Sequence, residues 1–430
     1  MGYVLRVIGL KKTMSRIAIV KGIRTPFVKA WTDFWDCSAQ ELGRVAVREL
    51  LERTAIDPNL IDEVIFGAVA NPPEAANMAR VISLLSGIPK EKRAYTISRN
   101  CASGFEAVTS AVEKIQSGFD QIVIAGGAES MSNIPMYYPK ETAKLFLKLS
   151  KAKNLFERVG ILFNLLKPKY LLKPVIGLQL GLTDPVCGLN MGQTAEILAK
   201  EYGITRKQQD EFALMSHRHA SAAGEKLREE IVPVLVPPKY EKAVQDDNGA
   251  RKNITIEDLA KLKPFFDRYS GSVTVGNACQ VTDGACALLV MKEERARELG
   301  FQPLGFIRSY AYCGVEPSKM GIGPAFAIPE VLAKANLKLS DIELIEINEA
   351  FAAQVIACER HLAASNIGKL NREILNVNGG AIALGHPVGV TGSRLILTLL
   401  KELQRRNLHL GLASLCVGGG QGAAVIVERG

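Results

Sequence analysis

The sequence predicts an α/β protein made of two similar halves, with a further segment inserted in the first. Three observations predict it. Short apolar runs alternate with helical periodicity from Arg16 onward, and the alternation restarts near residue 303. Both stretches close on a small-residue lead into a hydrophobic strand, DGACALLVMKE at 283–293 and GQGAAVIVERG at 420–430, which indicates a duplication.

In the first half RIAIVKG (16–22) reads as a strand, 40–53 as a helix, EVIFGAV (63–69) as a strand, 76–85 as a helix and QIVIAGGAE (121–129) as a strand. The second half repeats the series. PLGFIRSYAY (303–312), DIELIEIN (341–348), EILNVN (373–378) and LASLCVGG (412–419) read as strands, with helices over 325–335, 350–364 and 391–405 between them. This βαβ grammar implies a mostly parallel sheet, and two such halves packed together place a ligand site where strand ends meet at their junction.

Composition narrows the class. With 430 residues, 47% hydrophobic and 23% charged, the chain is long and apolar enough to bury a large core, which excludes disorder. Eight cysteines without a CxxC pair exclude a zinc or disulfide framework and suit a reducing intracellular compartment. No apolar run reaches the ~18 residues of a membrane span. The opening MGYVLRVIGLKKTMSR is basic and acid-free, and reads as a transit peptide, as an extension before an alternative start at Met14 or as a cloning remnant; cytoplasm is the default location.

The net charge of +9 is concentrated. Residues 139–173 hold nine basic residues (Lys140, Lys144, Lys148, Lys151, Lys153, Arg158, Lys167, Lys169, Lys173) against Glu141 and Glu157. Leu145, Phe146, Leu149, Leu155, Phe156, Ile161, Leu162, Phe163, Leu165 and Leu166 are interleaved, so the stretch reads as one or two basic amphipathic helices. Such helices cover their own domain, lie on an anionic membrane surface or dock a partner, and these three readings stay open. Nucleic acid is excluded as a partner, because the cations are mostly lysines and no base-reading module accompanies them.

Four segments carry chemistry. TISRNCASGF puts Cys101 between a strand and a helix N-terminus, where the helix dipole favours a thiolate nucleophile. ILNVNGGAIALGHPVGVTGSR holds His386 in a loop with Gly379, Gly380, Gly385 and Gly389, which allows close backbone approach to a ligand. LASLCVGGG places Cys416 before a glycine turn whose N–H groups suit an oxyanion hole. In IEINEAFAAQ, Asn348 and Glu349 follow a buried strand and start a helix, where capping is the simplest role for Asn348.

Together NCASG, NEAF, GHP and the terminal C-x-G, in this order, resemble the thiolase family. The resemblance runs from about Arg16 to Gly430 and includes RTPF (24–27), GLTDPVCGLNMGQTAE (181–196) and GSVTVGNACQVTDGA (271–285). It implies the thiolase fold: two similar halves, each with a mixed five-stranded sheet, plus an inserted loop domain. The corresponding divisions are an extension 1–15, a first half 16–130 with 269–295, a loop domain 131–268 and a second half 296–430. The long basic insert is most similar to that of thiolase subunits in fatty-acid β-oxidation complexes.

The resemblance also implies roles. Cys101 is the nucleophile that takes the acyl group of a 3-ketoacyl-CoA, His386 its base, and Cys416 the acid and base at the acetyl carbon. One oxyanion site would use His386 with a water held by Asn348, and the other the N–H groups of Cys101 and Gly418. Arg251 would lie near the adenine nucleotide of coenzyme A, and Met191 and Phe351 along the pantetheine and acyl pocket. Asn190 and Cys279 depart from the histidine and serine common in simple thiolases. A single histidine with two cysteines and NEAF argues against ketoacyl synthases, and NEAF in place of HDCF argues against sterol-carrier-type thiolases. The implied activity is 3-ketoacyl-CoA thiolase, an acyltransferase with coenzyme A as substrate and no permanently bound cofactor or metal. The rivals are an acetoacetyl-CoA thiolase working in the synthetic direction and a non-catalytic acyl-CoA-binding scaffold. The implied partners are acyl-CoA and CoA, a homodimer or dimer of dimers, and a hydratase/dehydrogenase subunit.

Overall fold

Strands rich in Ile, Val, Leu and Ala, covered on both faces, set the frame of the protein. A computed structural model describes residues 15–171 and 174–430. The opening segment read as a transit peptide or alternative start, and Lys173 of the basic insert, lie outside the described residues.

The first half contains β1 (Ile17–Arg24), β2 (Glu63–Gly67), β3 (Arg93–Ile97), β4 (Ile122–Glu129) and β5 (Thr282–Lys292). The second contains β6 (Gly305–Gly314), β7 (Leu344–Ile347), β8 (Leu410–Val417) and β9 (Gln421–Arg429). Spatial order is β1-β5-β4-β2-β3 in one half and β6-β9-β8-β7 in the other, the same permutation of chain order. The segment EILNVN completes that permutation only as a bridge between Ile345 and Leu375. The reason is local: the Asn376 side chain accepts from Ile347 N–H (2.9 Å) and donates to its carbonyl (2.9 Å), occupying ladder positions that a fifth strand would fill.

The mostly parallel pairing expected from the βαβ pattern is corrected, and the mixed sheet that the family resemblance implies is what forms. Parallel ladders join β2 to β3 and β4, and β7 to β8. The closing strands β5 and β9 run antiparallel to both neighbours. The half-sheets join at their edges through antiparallel β1 and β6.

Helices α1 (Ala39–Thr54), α2 (Met78–Leu85) and α3 (Ser103–Ser117) accompany the first half. The intervening segment holds α4 (Lys140–Lys151), α5 (Leu155–Leu165), α6 (Met191–Glu201) and α7 (Arg206–Ala222). The second half adds α8 (Gly323–Ala335), α9 (Ala352–Ala364) and α10 (Thr391–Arg406). Apolar residues of α3 and α10 pack with strands of both halves in one buried cluster, whereas α1 and α2 share a second cluster and α8 and α9 a third. Every residue of α10 from Thr391 to Leu400 is buried, as a helix enclosed between two sheets requires.

The crossing of α3 and α10 depends on two glycines. A Cβ on Gly104 would lie 2.8 Å from Ser393 N, and one on Gly392 would lie 2.3 Å from Phe105 N. This backbone approach brings the N-terminal ends of the two helices, and the loops that precede them, together.

The basic insert forms α4 and α5, followed by a single helical turn at Pro168–Leu171, with Thr142, Ala152 and Leu165 turned inward. Many of its apolar side chains are exposed, including Leu147, Leu155, Phe163 and Phe156, the last at 93%. In this chain alone, that face is therefore not packed on its own domain. Among the described residues no helix is long and apolar enough to cross a membrane.

Candidate active site

The chain leaves β3 and turns sharply through Arg99 and Asn100, the latter in the left-handed region at φ 45°. Ser103 holds this turn, accepting Arg99 N–H (2.9 Å) and donating its hydroxyl to the Asn100 carbonyl (2.6 Å). Asn100 Nδ2 donates to the Gly418 carbonyl (2.8 Å), tying the turn to the glycine loop after β8. Cys101 therefore faces Gly418, a residue more than 300 positions later in the chain.

The expected preformed thiolate is corrected. Burial pushes the Cys101 thiol up, against the opposing pull of the Gly418 and Cys101 N–H groups. Desolvation outweighs the helix terminus, so this sulfur needs a base.

His386 is the candidate. Its backbone N–H donates to the Gln280 carbonyl (3.2 Å), and its Nδ1 lies 2.6 Å from Thr391 Oγ1. The Thr391 hydroxyl donates its single proton to the Pro387 carbonyl (3.1 Å), so Oγ1 accepts from Nδ1–H. That tautomer leaves the lone pair on Nε2, which is buried and has no protein partner among the described residues. Burial, followed by the Arg394 cation, lowers the imidazole pKa to about 3, so the ring is held neutral.

Residues 277–280 connect the remaining parts. Ala278 bridges Phe351, Cys279 N–H donates to the Ala350 carbonyl (2.9 Å), and Ala352 N–H donates to that of Asn277 (2.9 Å). The same segment holds His386 through Gln280, so NEAF and GHP lie on either side of it. Asn348 does not act as a side-chain cap: it is buried, and both Oδ1 and Nδ2 lack protein partners among the described residues. The two unpaired ends of this buried amide, like the unpaired imidazole nitrogen, suit a polar ligand or a held water.

Cys416 is the penultimate residue of β8, fully buried, with its thiol raised well above the ordinary value by burial and by neighbouring Cys101. Cys279, partly exposed, is raised to about 12 by burial and by Cys101. Three thiols thus share one neighbourhood. Met191 lies beside the glycine turn, its Sδ 3.4 Å from where a Gly418 Cβ would stand. Phe351 is buried edge-on to Phe266, with ring centres 5.9 Å apart. Arg251 stands apart on an exposed loop, its N–H donating to His217 Nδ1 (3.2 Å). Asn190, the departure noted in sequence, caps α6 by accepting from Gln193 N–H (2.9 Å).

Sequence reasoning missed four supports. Thr391 orients the imidazole, five residues after it at a helix start. Phe266, from the aromatic pair in KPFFD, packs between Gly192 and Phe351. Glu349, read only as a helix start, accepts from Ser216 Oγ (2.5 Å), Asn376 Nδ2 (2.7 Å) and Ile382 N (3.2 Å), pinning the glycine loop to NEAF. Glu129 accepts from Val69, Ala70 and Gly389 N–H groups and fixes the segment that opens α10. Glu349 was noticed in NEAF only for its position, and nothing in the local sequence marked either glutamate as a collector of distant donors.

A duplicated α/β fold with a cysteine and a neutral histidine at paired helix starts, and a second cysteine against them, defines a class of thiol-dependent acyl-transfer proteins. The thiolase N-terminal domain matches residues 17–294 and the thiolase C-terminal domain residues 301–429. The 3-ketoacyl-CoA thiolase of Pectobacterium carotovorum is 44% identical over 96% of this chain and 97% of that protein. Among solved structures, human mitochondrial 3-ketoacyl-CoA thiolase in complex with CoA gives a TM-score of 0.85 at 36% identity, covering 97% of this chain and 98% of that one. The Bacillus anthracis acetyl-CoA acetyltransferase gives 0.86 at 39% identity, covering 97% and 99%. The chain belongs to the thiolase family.

Proposed function

We propose that the chain cleaves 3-ketoacyl-CoA with coenzyme A, releasing acetyl-CoA and an acyl-CoA two carbons shorter. The observation that carries this is the state of His386: Nδ1 is paired with Thr391, Nε2 has no protein partner among the described residues, and burial favours the uncharged form of both this ring and the Cys101 thiol. His386 Nε2 takes the Cys101 proton as the sulfur attacks the keto carbon. The resulting oxyanion lies against the Cys101 and Gly418 N–H groups. The bond between C2 and C3 then breaks, leaving Cys101 acylated and acetyl-CoA as an enolate, whose oxygen is met by His386 and a water held by Asn348. Cys416 gives its proton to C2, then takes one from the incoming CoA thiol. CoA sulfur attacks the thioester, and the Cys101 thiolate leaves and recovers its proton from His386. CoA enters as a substrate, with Met191 and Phe351 along its pantetheine and acyl portion and Arg251 towards its nucleotide.

The test is CoA-dependent cleavage of short, medium and long 3-ketoacyl-CoAs. Turnover of medium or long chains is the expected result. Cleavage confined to acetoacetyl-CoA would favour the acetoacetyl-CoA thiolase reading, which the similarity to acetyl-CoA acetyltransferases keeps in play. Binding without turnover would favour the scaffold.

We further read the chain as a cytoplasmic homodimer or dimer of dimers, divided into halves at 16–130 with 269–295 and at 296–430 around a loop domain at 131–268. The α4–α5 hairpin is its docking surface for an anionic membrane, because exposed Phe146, Phe156 and Phe163 stand among lysines. Flotation with phosphatidylglycerol vesicles, but not phosphatidylcholine vesicles, is expected, and is lost on deleting residues 140–173. Retention by a hydratase/dehydrogenase subunit in place of vesicles would assign the surface to that partner.

A further inference from the structure

Asn348 and His386 reach the site from different elements, one past the end of β7 and the other in the loop before α10. The enolate step needs them aimed at one oxygen. Joining their two supports is a buried ion pair, Arg394 Nη1 to Glu346 Oε2 at 3.1 Å, with side chains 0% and 3% exposed. Glu346 precedes Asn348 by two residues, so on an extended strand both point to one side of the sheet. Arg394 follows Thr391 by three residues and shares its helix face, and Thr391 holds His386 Nδ1.

We infer that the Arg394–Glu346 pair is a positioning device that sets Asn348 and His386 in mutual register for the enolate step. The inference rests on the proposed function above. Stability alone is a weak reason for such a pair: burying two charges costs about as much as their attraction returns, and apolar residues of similar volume often serve as well. Arg394 is also incompletely satisfied, since Nε and Nη2 are buried without protein partners among the described residues. A pair with so little to offer stability, linking the strand that leads to Asn348 to the helix that holds His386, fits a geometric role.

The experiment compares kcat, KM and Tm for wild type, Arg394→Met, Glu346→Met, Glu346→Gln and the double variant Arg394→Met/Glu346→Met, with Asn348→Ala as a reference. Arg394→Met strands a buried carboxylate and is expected to lower Tm. The double variant is expected to regain most of that Tm yet stay roughly tenfold or more below wild type in kcat, with KM within about twofold. Glu346→Gln, which keeps an acceptor for Nη1, is expected to retain roughly fivefold more activity than Glu346→Met. A double variant within about threefold of wild-type kcat overturns the inference and leaves the pair a packing feature. So does equal loss in the Gln and Met variants. Failure of the underlying reading looks different: Asn348→Ala would then turn over like wild type, whatever the pair does.

Discussion

His386→Ala is expected to lower kcat by roughly 10³- to 10⁴-fold while the protein stays folded. The imidazole makes one protein hydrogen bond, through Nδ1 to Thr391, and the residue's other bond, from its backbone N–H to the Gln280 carbonyl, is one that alanine keeps. Its loss is therefore felt mainly at Nε2. Burial holds the Cys101 thiol protonated, so without that nitrogen the sulfur has no acceptor for its proton. The effect should not add to that of Cys101→Ala: a double variant should be no slower than Cys101→Ala alone, because base and nucleophile act in one step. The pH profile gives a second test. With its folded pKa lowered to about 3, His386 remains neutral as pH falls well below the ordinary imidazole value, and its protonation sets no acid limb above about pH 4. A wild-type kcat/KM that falls with an apparent pKa near ~6.5, and does not do so in a variant lacking His386, would show an imidazole in ordinary solvent contact and overturn this account.

Gly392→Ala is expected to cost on the order of 3 kcal/mol or more, lowering Tm by roughly 3 °C or more, or abolishing soluble expression. The new methyl would stand 2.3 Å from Phe105 N, 2.8 Å from Phe105 Cδ1 and 3.0 Å from Gly104 C. Two of these are backbone atoms of α3, which cannot turn aside as a side chain can. Relief requires α3 and α10 to separate, and those helix starts carry Cys101 on one side and the His386 loop on the other. Residual folded protein should therefore lose kcat more than it loses substrate affinity. Unchanged thermal unfolding and unchanged turnover would show that the two helices are not held at this distance in solution.

Much of the site was legible because its reactive residues lie in short local motifs. NCASG, GHP and C-x-G each pair a reactive side chain with glycines or a helix start, and NEAF closes a buried strand. The supports were not. Glu349 reads as part of a helix start, yet it collects donors from residues 216, 376 and 382. Thr391 looks like one more small polar residue until its Oγ1 is found 2.6 Å from an imidazole. The basic insert was legible as amphipathic helices, but not which way their apolar residues would face.

By itself the sequence determined the α/β class, the internal repeat and the four candidate site residues, since periodicity and motif spacing are properties of contiguous chain. Two expectations drawn from local pattern were reversed by the assembled molecule. The closing strands β5 and β9 pair antiparallel, because which strands become neighbours depends on the return path of the whole half. The Cys101 thiol is held neutral, although it precedes a helix, because desolvation comes from residues far away in sequence and exceeds the pull of nearby N–H groups. Only the tertiary structure decided protonation, tautomer and the approach of the two halves, since each depends on burial and on contacts that no local stretch of sequence contains.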